Sequence, residues 1–302
     1  MDITKYQGVF PAFYACYDEK GQVSSTKVKE LAKYLINKGV KGLYVGGSSG
    51  ECIYQSVEER MITLESVMEE AKGKVTVIAH VACNNTKDSC ILAAHAQSQG
   101  VDAIASIPPI YFKLPEHAIA KYWNDISNAA PDTDFIIYNI PQLAGVALSI
   151  PLLQEMKKNP RVIGVKNSSM PVQDIQLFSD EGVIVFNGPD EQLVSGLAAG
   201  AVGGIGGTYA GMPELLIKVF ELFKDGKVEE ARILQNEICR IIYKMCSTYG
   251  NMYATIKEIL RIQGGPDIGG VREPLANLIE SDKVIAAECA KIIAKTIKKY
   301  CC

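Results

Sequence analysis

Lys166 closes an apolar run of Val162, Ile163, Gly164 and Val165. A lysine at the end of a buried strand is partly desolvated, which disfavours its ammonium and lowers its pKa. A neutral amine attacks a ketone to form a Schiff base, and the protonated imine then draws electrons from the neighbouring carbon. Position alone leaves a second reading open, in which the ammonium reaches solvent or pairs with Glu51. Tyr138 ends a second apolar run, Phe135, Ile136 and Ile137. Its phenol suits proton relay to or from a substrate hydroxyl, and equally a core tyrosine whose hydroxyl finds a partner. Asp190 and Glu191 follow a third run after Gly188 and Pro189. Adjacent acids suit a ligand with several sugar hydroxyls. Helix capping by Asp190, with Glu191 in the first turn, accounts for them as well.

Gly46, Gly47, Ser48, Ser49, Gly50 and Glu51 form a loop of hydroxyls and backbone N–H groups ahead of a helix. Such a loop suits a carboxylate or phosphate, or is a plain Gly/Ser turn. Gly46, Ser48 and Gly50 also match the Gly-x-Ser-x-Gly nucleophile elbow of serine hydrolases. That chemistry needs a His, and the chain has three: His80, His95 and His117. His80 ends a strand and His95 falls in a helical segment, and the elbow normally follows a later strand. The glycines at 203, 204, 206 and 207 admit a ligand to the backbone or serve tight packing. A phosphorylated substrate stays open, because barrels commonly bind phosphate after strands 7 and 8.

These residues need a scaffold that gathers them. β-rich runs recur at 9–14, 42–45, 75–80, 103–107, 135–139, 162–166, 183–187 and 203–208, the last weakened by its glycines. Helical spacing lies between them, as in Val28, Leu31, Ala32 and Leu35. Ser56 with Glu58 and Glu59 marks a helix start, and Pro115 and Pro213 stand in first turns. Eight strands, each followed by a helix, predict an α/β fold, a (β/α)8 TIM barrel over residues 1–224. Residues 225–302 read as a C-terminal helical extension packed on the barrel, broken by loops at Gly264, Gly265 and Pro266 and at Gly269 and Gly270. Chemistry in such a barrel sits at the C-terminal strand ends, where the 46–51 loop, Tyr138, Lys166, Asp190 and Glu191 fall.

Composition narrows the classes. The 302 residues are 48% hydrophobic and 22% charged, enough for a sizeable core and too little charge for a disordered chain. With 31 basic and 34 acidic residues the net charge is −3, which argues against nucleic acid as a partner. No apolar run is long enough to span a membrane, and residues 1–5 lack a signal peptide's apolar stretch, so a cytoplasmic protein is expected. The nine Cys form no Cys-x-x-Cys pair, and most are expected to be reduced and buried. Asp190 and Glu191 lack neighbouring His or acids, so no metal is expected.

Together, the 46–51 loop, Tyr138-Asn139-Ile140-Pro141, Gly164-Val165-Lys166 and Gly203-Gly204-Ile205-Gly206 resemble the N-acetylneuraminate lyase and dihydrodipicolinate synthase superfamily over essentially the whole chain. The resemblance implies a class I aldolase, usually a homotetramer, that condenses or releases pyruvate through a lysine Schiff base without a metal or organic cofactor. It implies Lys166 as the Schiff-base lysine and Tyr138 as the proton relay. Ser48 and Ser49 would hold the pyruvate carboxylate, and Tyr111 would enter a neighbouring subunit's site. Dihydrodipicolinate synthases carry an Arg where this chain has Leu143. The pattern Gly188, Asp190 and Glu191 is similar to that of sialic acid lyases, whose two acids bind the polyhydroxyl tail. Ser168 keeps the hydroxyl of a Thr usual in those lyases, whereas Gly207 stands where they have a Ser, so one sugar contact is missing. Whether Tyr253 of the tail lines the pocket stays open. The implied reaction is cleavage of N-acetylneuraminate to N-acetylmannosamine and pyruvate. The alternatives are an aldolase for another 2-keto-3-deoxy sugar acid, dihydrodipicolinate synthase, a serine hydrolase built on Ser48, and a non-catalytic sugar-acid sensor.

Overall fold

The computed structural model describes residues 3–301. Eight short strands carry the chain: β1 (Gly8–Pro11), β2 (Gly42–Val45), β3 (Thr76–His80), β4 (Ala103–Ser106), β5 (Asp134–Asn139), β6 (Val162–Asn167), β7 (Ile184–Asn187) and β8 (Gly203–Gly206). Each pairs in parallel with the next from β2 to β8, and β1 pairs in parallel with β8. The ring closes where Ala12 bridges Tyr44 and the Phe13 N–H donates to the Tyr44 carbonyl at 2.8 Å. This is a (β/α)8 barrel.

Side chains alternate between two environments, as a sheet buried on both faces requires. Phe10, Tyr44, Ile78, Ala105, Ile136, Tyr138, Phe186 and Ile205 fill the barrel interior. The residues between them, such as Val9, Leu43, Ile104, Ile137 and Val185, pack outward beneath the helices. β8 forms despite its glycines because no side chain fits there: a Cβ at Gly203 would lie 2.0 Å from the Gly8 carbonyl. Strand propensity yields to the neighbouring backbone. The strand ends at Gly206 rather than 208, since residues 208–210 turn into a 3-10 helix.

The helices follow the expected order. They are α1 (Ser25–Asn37), α2 (Val57–Ala71), α3 (Thr86–Gln99) and α4 (Glu116–Ala129), then two short pieces after β5, α5 (Pro141–Ala144) and α6 (Ile150–Met156). α7 (Gln173–Asp180), α8 (Leu193–Ala198) and α9 (Pro213–Lys224) complete the ring. Val28, Leu31, Ala32 and Leu35 form the buried stripe of α1. Ser56 and Glu59 form a reciprocal capping box at the start of α2.

The tail contributes α10 (Val228–Met245), α11 (Met252–Ile262) and α12 (Glu280–Tyr300). Ile238 and Ile242 of α10, Ile256 and Ile259 of α11 and Ile293 of α12 join the same buried cluster as the barrel's outer face. No helix among the described residues is long and apolar enough to cross a membrane. The expectation that most Cys are buried is corrected. Cys16, Cys52 and Cys289 are buried, Cys83, Cys90, Cys239 and Cys301 are half-buried, and Cys246 is exposed on the tail. Cys83, Cys90 and Cys301 still pack their thiols against the edge of the apolar core, and the Cys239 thiol donates to the Glu191 carbonyl at 3.3 Å.

Candidate functional site

The cleft lies at the C-terminal mouth of the barrel, with a volume of about 260 Å3. Ser48, Ser49, Tyr138, Lys166, Ser168, Gly188, Asp190, Glu191 and Gly207 all line it. The site residues expected from sequence are therefore brought together, Tyr111 excepted. Tyr111 is 89% exposed and packs edge-on against Phe112 at 5.0 Å, on the rim of a separate groove.

Strand register sets the heart of the site. Tyr138 of β5 is aligned with Lys166 of β6, and Lys166 with Phe186 of β7. Aligned residues of parallel strands point to the same side, so all three face the barrel interior. Lys166 is only 4% exposed, and its Nζ lies 3.4 Å from the Tyr138 ring centre and 5.0 Å from that of Tyr44. The Ser168 hydroxyl is its nearest polar neighbour, at 3.5 Å. Burial drives the Lys166 amine well below the usual lysine range, and Asp190 opposes this only in part. Burial likewise pushes the Tyr138 phenol up to about 12, while Ser48 and Ser168 hold it down. At neutral pH the pair is an amine ready to lose its proton beside a neutral phenol.

The pairing of Lys166 with Glu51 is ruled out by geometry. Glu51 instead meets Lys257 of α11 at 2.9 Å, away from the cleft.

Asp190 is buried, and one oxygen, Oδ2, accepts from both the Thr208 N–H and the Thr208 hydroxyl at 2.6 Å. It clasps the β7 loop to the β8 loop rather than capping a helix; Pro189 holds the N-cap of the 3-10 turn Asp190–Gln192, with no side-chain cap. A Cβ at Gly206 would lie 2.0 Å from Asp190 Oδ1, so only glycine admits this carboxylate. A Cβ at Gly188 would lie equally close to Ser168 Oγ. Burial pushes the Asp190 carboxyl up to about 6 against the pull of the Thr208 hydrogen bonds. Glu191, next in the chain, is exposed at the mouth.

One layer of residues was not singled out as functional from the sequence. Asn139, Asn167 and Asn187 are mutually aligned, one position beyond Tyr138, Lys166 and Phe186. They point outward and tie down the loops. Asn139 donates to Asn167 Oδ1 at 2.7 Å and accepts from the Leu148 N–H at 2.9 Å, and Asn187 donates to the Pro189 carbonyl at 2.7 Å. The signal lay in the chain as three dipeptides with Asn second, Tyr-Asn, Lys-Asn and Phe-Asn, each at a strand end. Tyr253 of α11 also lines the cleft, which brings the tail into the site.

The elbow reading of Ser48 lacks a competent base. His80 contacts the Gly46 carbonyl through Nδ1 at 2.8 Å, and burial pushes its pKa down to about 3. His95 meets Glu65 on the outer helices at 2.9 Å, and His117 is exposed in the first turn of α4, outside the cleft lining. No group of three His, Cys, Asp or Glu side chains among the described residues is arranged to hold a metal ion.

The fold and this mouth, with a desolvated lysine stacked on a tyrosine, define a particular class of barrel, and the sequence model of the Dihydrodipicolinate synthetase family matches residues 5–293. The chain belongs to that family. Within it, the chain is 63% identical to the N-acetylneuraminate lyase of Mediterraneibacter gnavus, over 99% of this chain and 96% of that one. It is 33% identical to an Escherichia coli N-acetylneuraminate lyase, over 92% and 93%. Its structure superposes with a TM-score of 0.98 on a catalytic lysine mutant of Ruminococcus gnavus sialic acid aldolase, 62% identical, with 99% of each chain covered.

Proposed function

We propose that this protein is an N-acetylneuraminate lyase, a carbon–carbon lyase that cleaves sialic acid to N-acetylmannosamine and pyruvate. The observation that carries the reading is the cleft's chemistry. Its one basic side chain among the described residues is Lys166, desolvated against Tyr138, and the rest of the wall is hydroxyls, the Gln142 amide, two acids and apolar groups. The names of the relatives support the same reaction.

Lys166, as the neutral amine, attacks the 2-keto carbon of the open-chain sugar acid, and loss of water with uptake of one proton from solvent leaves the protonated imine, the proton being returned when the imine is hydrolysed. Tyr138 takes the proton of the carbon-4 hydroxyl and passes its own to the substrate carboxylate, since a phenol with a pKa near 12 is neutral at working pH. The carbon 3–carbon 4 bond breaks, its electron pair flows into the imine, and the aldehyde departs as N-acetylmannosamine. Protonation of the enamine at carbon 3 and hydrolysis of the imine release pyruvate and restore the amine. Ser48 and Ser49 hold the carboxylate, Ser168 stays beside the reacting nitrogen, and Asp190 and Glu191 receive the hydroxylated chain. No metal or organic cofactor enters these steps. A cytoplasmic homotetramer accords with this reading, and the exposed aromatic pair Tyr111 and Phe112 supports contact with a second copy, whose cleft Tyr111 would enter.

The competing substrates fit less well. Leu143 stands at the mouth where a second substrate carboxylate would want a cation. A phosphorylated sugar would set a dianion near Asp190 and Glu191, with Lys166 alone to offset it. Pyruvate release from N-acetylneuraminate, followed against a panel of 2-keto-3-deoxy sugar acids, tests the assignment. Preference for another member of the panel would reassign the substrate, and binding without turnover would make the protein a sensor.

Asp190 adds a pH signature. A carboxyl titrating near 6 is about one-tenth ionised at pH 5. If the carboxylate form receives the sugar hydroxyls, KM for N-acetylneuraminate rises roughly tenfold from pH 7 to pH 5. Asp190→Asn starts from weaker binding and shows a flatter KM over that range. An equal rise in both proteins would assign the titration to another group.

A further inference from the structure

His80 is a buried titratable side chain that the reaction above does not use. It ends β3 with its ring inside the barrel, 5% exposed. The ring stands edge-on to Tyr138, with centres 5.9 Å apart, and its centre lies 6.2 Å from that of Tyr44. Nδ1 lies 2.8 Å from the Gly46 carbonyl oxygen. A carbonyl only accepts, so Nδ1 carries the proton. Burial keeps the imidazole neutral, which leaves Nε2 as a bare acceptor. Nε2 is buried and has no hydrogen-bond partner among the described residues.

That nitrogen separates packing from function. For packing alone, phenylalanine would fill the place of the ring without stranding a buried acceptor. What histidine adds is the donor at Nδ1. Gly46 opens the loop that carries Ser48 and Ser49, and it turns the chain with φ 76°. A Cβ there would lie 3.2 Å from the His80 carbonyl oxygen, so the loop passes close to the end of β3. The strand end is itself fixed. Arg60 of α2 donates to the His80 carbonyl at 2.7 Å and to the Ala82 carbonyl at 2.8 Å. The start of the loop is thus tied by a ring N–H to an anchored support.

We propose that His80 is a positioning residue for the reaction: its Nδ1–H holds the Gly46 carbonyl, and through it the loop whose Ser48 and Ser49 receive the substrate carboxylate. The inference rests on the lyase reading above for the role of those serines. It concerns the pyruvate part of the substrate and not the sugar chain.

Two variants divide the ring from the donor. His80→Phe keeps a ring against Tyr138 and removes the N–H. His80→Asn removes the ring and keeps a donor, since its amide nitrogen stands as far from Cβ along the chain as Nδ1 does. Borohydride trapping of pyruvate on Lys166 reads carboxylate binding without the sugar chain. In His80→Phe, half-maximal trapping should need about five- to tenfold more pyruvate, the scale of one neutral hydrogen bond. KM for N-acetylneuraminate should rise by the same factor, with a smaller change in kcat. The melting temperature should change little, because the freed Gly46 carbonyl is set against the relieved nitrogen. His80→Asn should melt lower, having lost the ring, yet bring the pyruvate requirement back toward that of the wild type. A wild-type pyruvate requirement in His80→Phe overturns the inference. So does a requirement raised as much in His80→Asn as in His80→Phe, which would make the ring's packing the cause. A wild-type enzyme that traps pyruvate but does not cleave N-acetylneuraminate overturns the lyase reading and leaves this inference standing. One that does not trap pyruvate overturns both.

Discussion

Lys166→Ala folds but releases pyruvate from N-acetylneuraminate at least about 10⁴-fold more slowly than the wild type, the scale of loss when a covalent nucleophile is removed. That factor corresponds to about 5 kcal/mol of transition-state stabilisation. The barrel should tolerate the change, since a partly desolvated amine at a strand end stabilises nothing that Ala forfeits. Its contacts are ring faces and one hydroxyl at 3.5 Å. Truncation removes the cost of burying a cation, so the melting temperature should hold or rise. Borohydride with pyruvate gives the mechanistic control. It leaves a stable adduct on wild type and on Tyr138→Phe, which keeps the amine, and none on Lys166→Ala. Adduct formation on the Ala variant would place the nucleophile elsewhere. Cleavage by the Ala variant at a wild-type rate would remove the Schiff base from the mechanism.

The contrast between what sequence showed and what it withheld follows the range of the interactions. Apolar runs ending in Lys166 and Tyr138 are local, and the parallel register that aligns them follows from counting strands round a barrel. The helix starts at Ser56 and Pro213 are local too. Asp190 is the intermediate case. Its place at the strand end was legible, but its partner Thr208 lies 18 residues on, and nothing in the chain announces that glycine at 206 admits the carboxylate. Glu51 is the far case: its partners Lys257 and Arg272 come from a tail whose docking no local pattern encodes. Tyr253 stayed open for the same reason, because it reaches the cleft from a helix outside the barrel ring.

That tail contact sets the second large effect. Glu51 holds φ 52°, the left-handed region that a non-glycine residue enters at a cost, and three partners keep it there. Lys257 Nζ lies 2.9 Å from Oε1, while Oε2 accepts from the Arg272 N–H at 2.9 Å and the Tyr17 hydroxyl at 3.3 Å. Both charged side chains are essentially out of water, at 0% and 2% exposure. Breaking such a pair leaves a buried charge alone, which costs about 3–5 kcal/mol. Lys257→Met should therefore unfold at a lower temperature. For a chain of this length the entropy of unfolding is about 0.6 kcal/mol/K, so the expected fall is about 5–8 °C. Glu51→Gln in the same chain neutralises the stranded acid and should recover much of the loss, because a neutral amide still accepts from Arg272 and Tyr17. Activity should fall alongside stability in Lys257→Met, since Glu51 ends the loop that carries Ser48 and Ser49, and Tyr253 sits one turn before Lys257 on α11. Calorimetry of the single and double variants tests the pair. A single variant as stable as the wild type would mean that Glu51 takes up a proton or water at little cost, and that the tail is held by its apolar contacts alone.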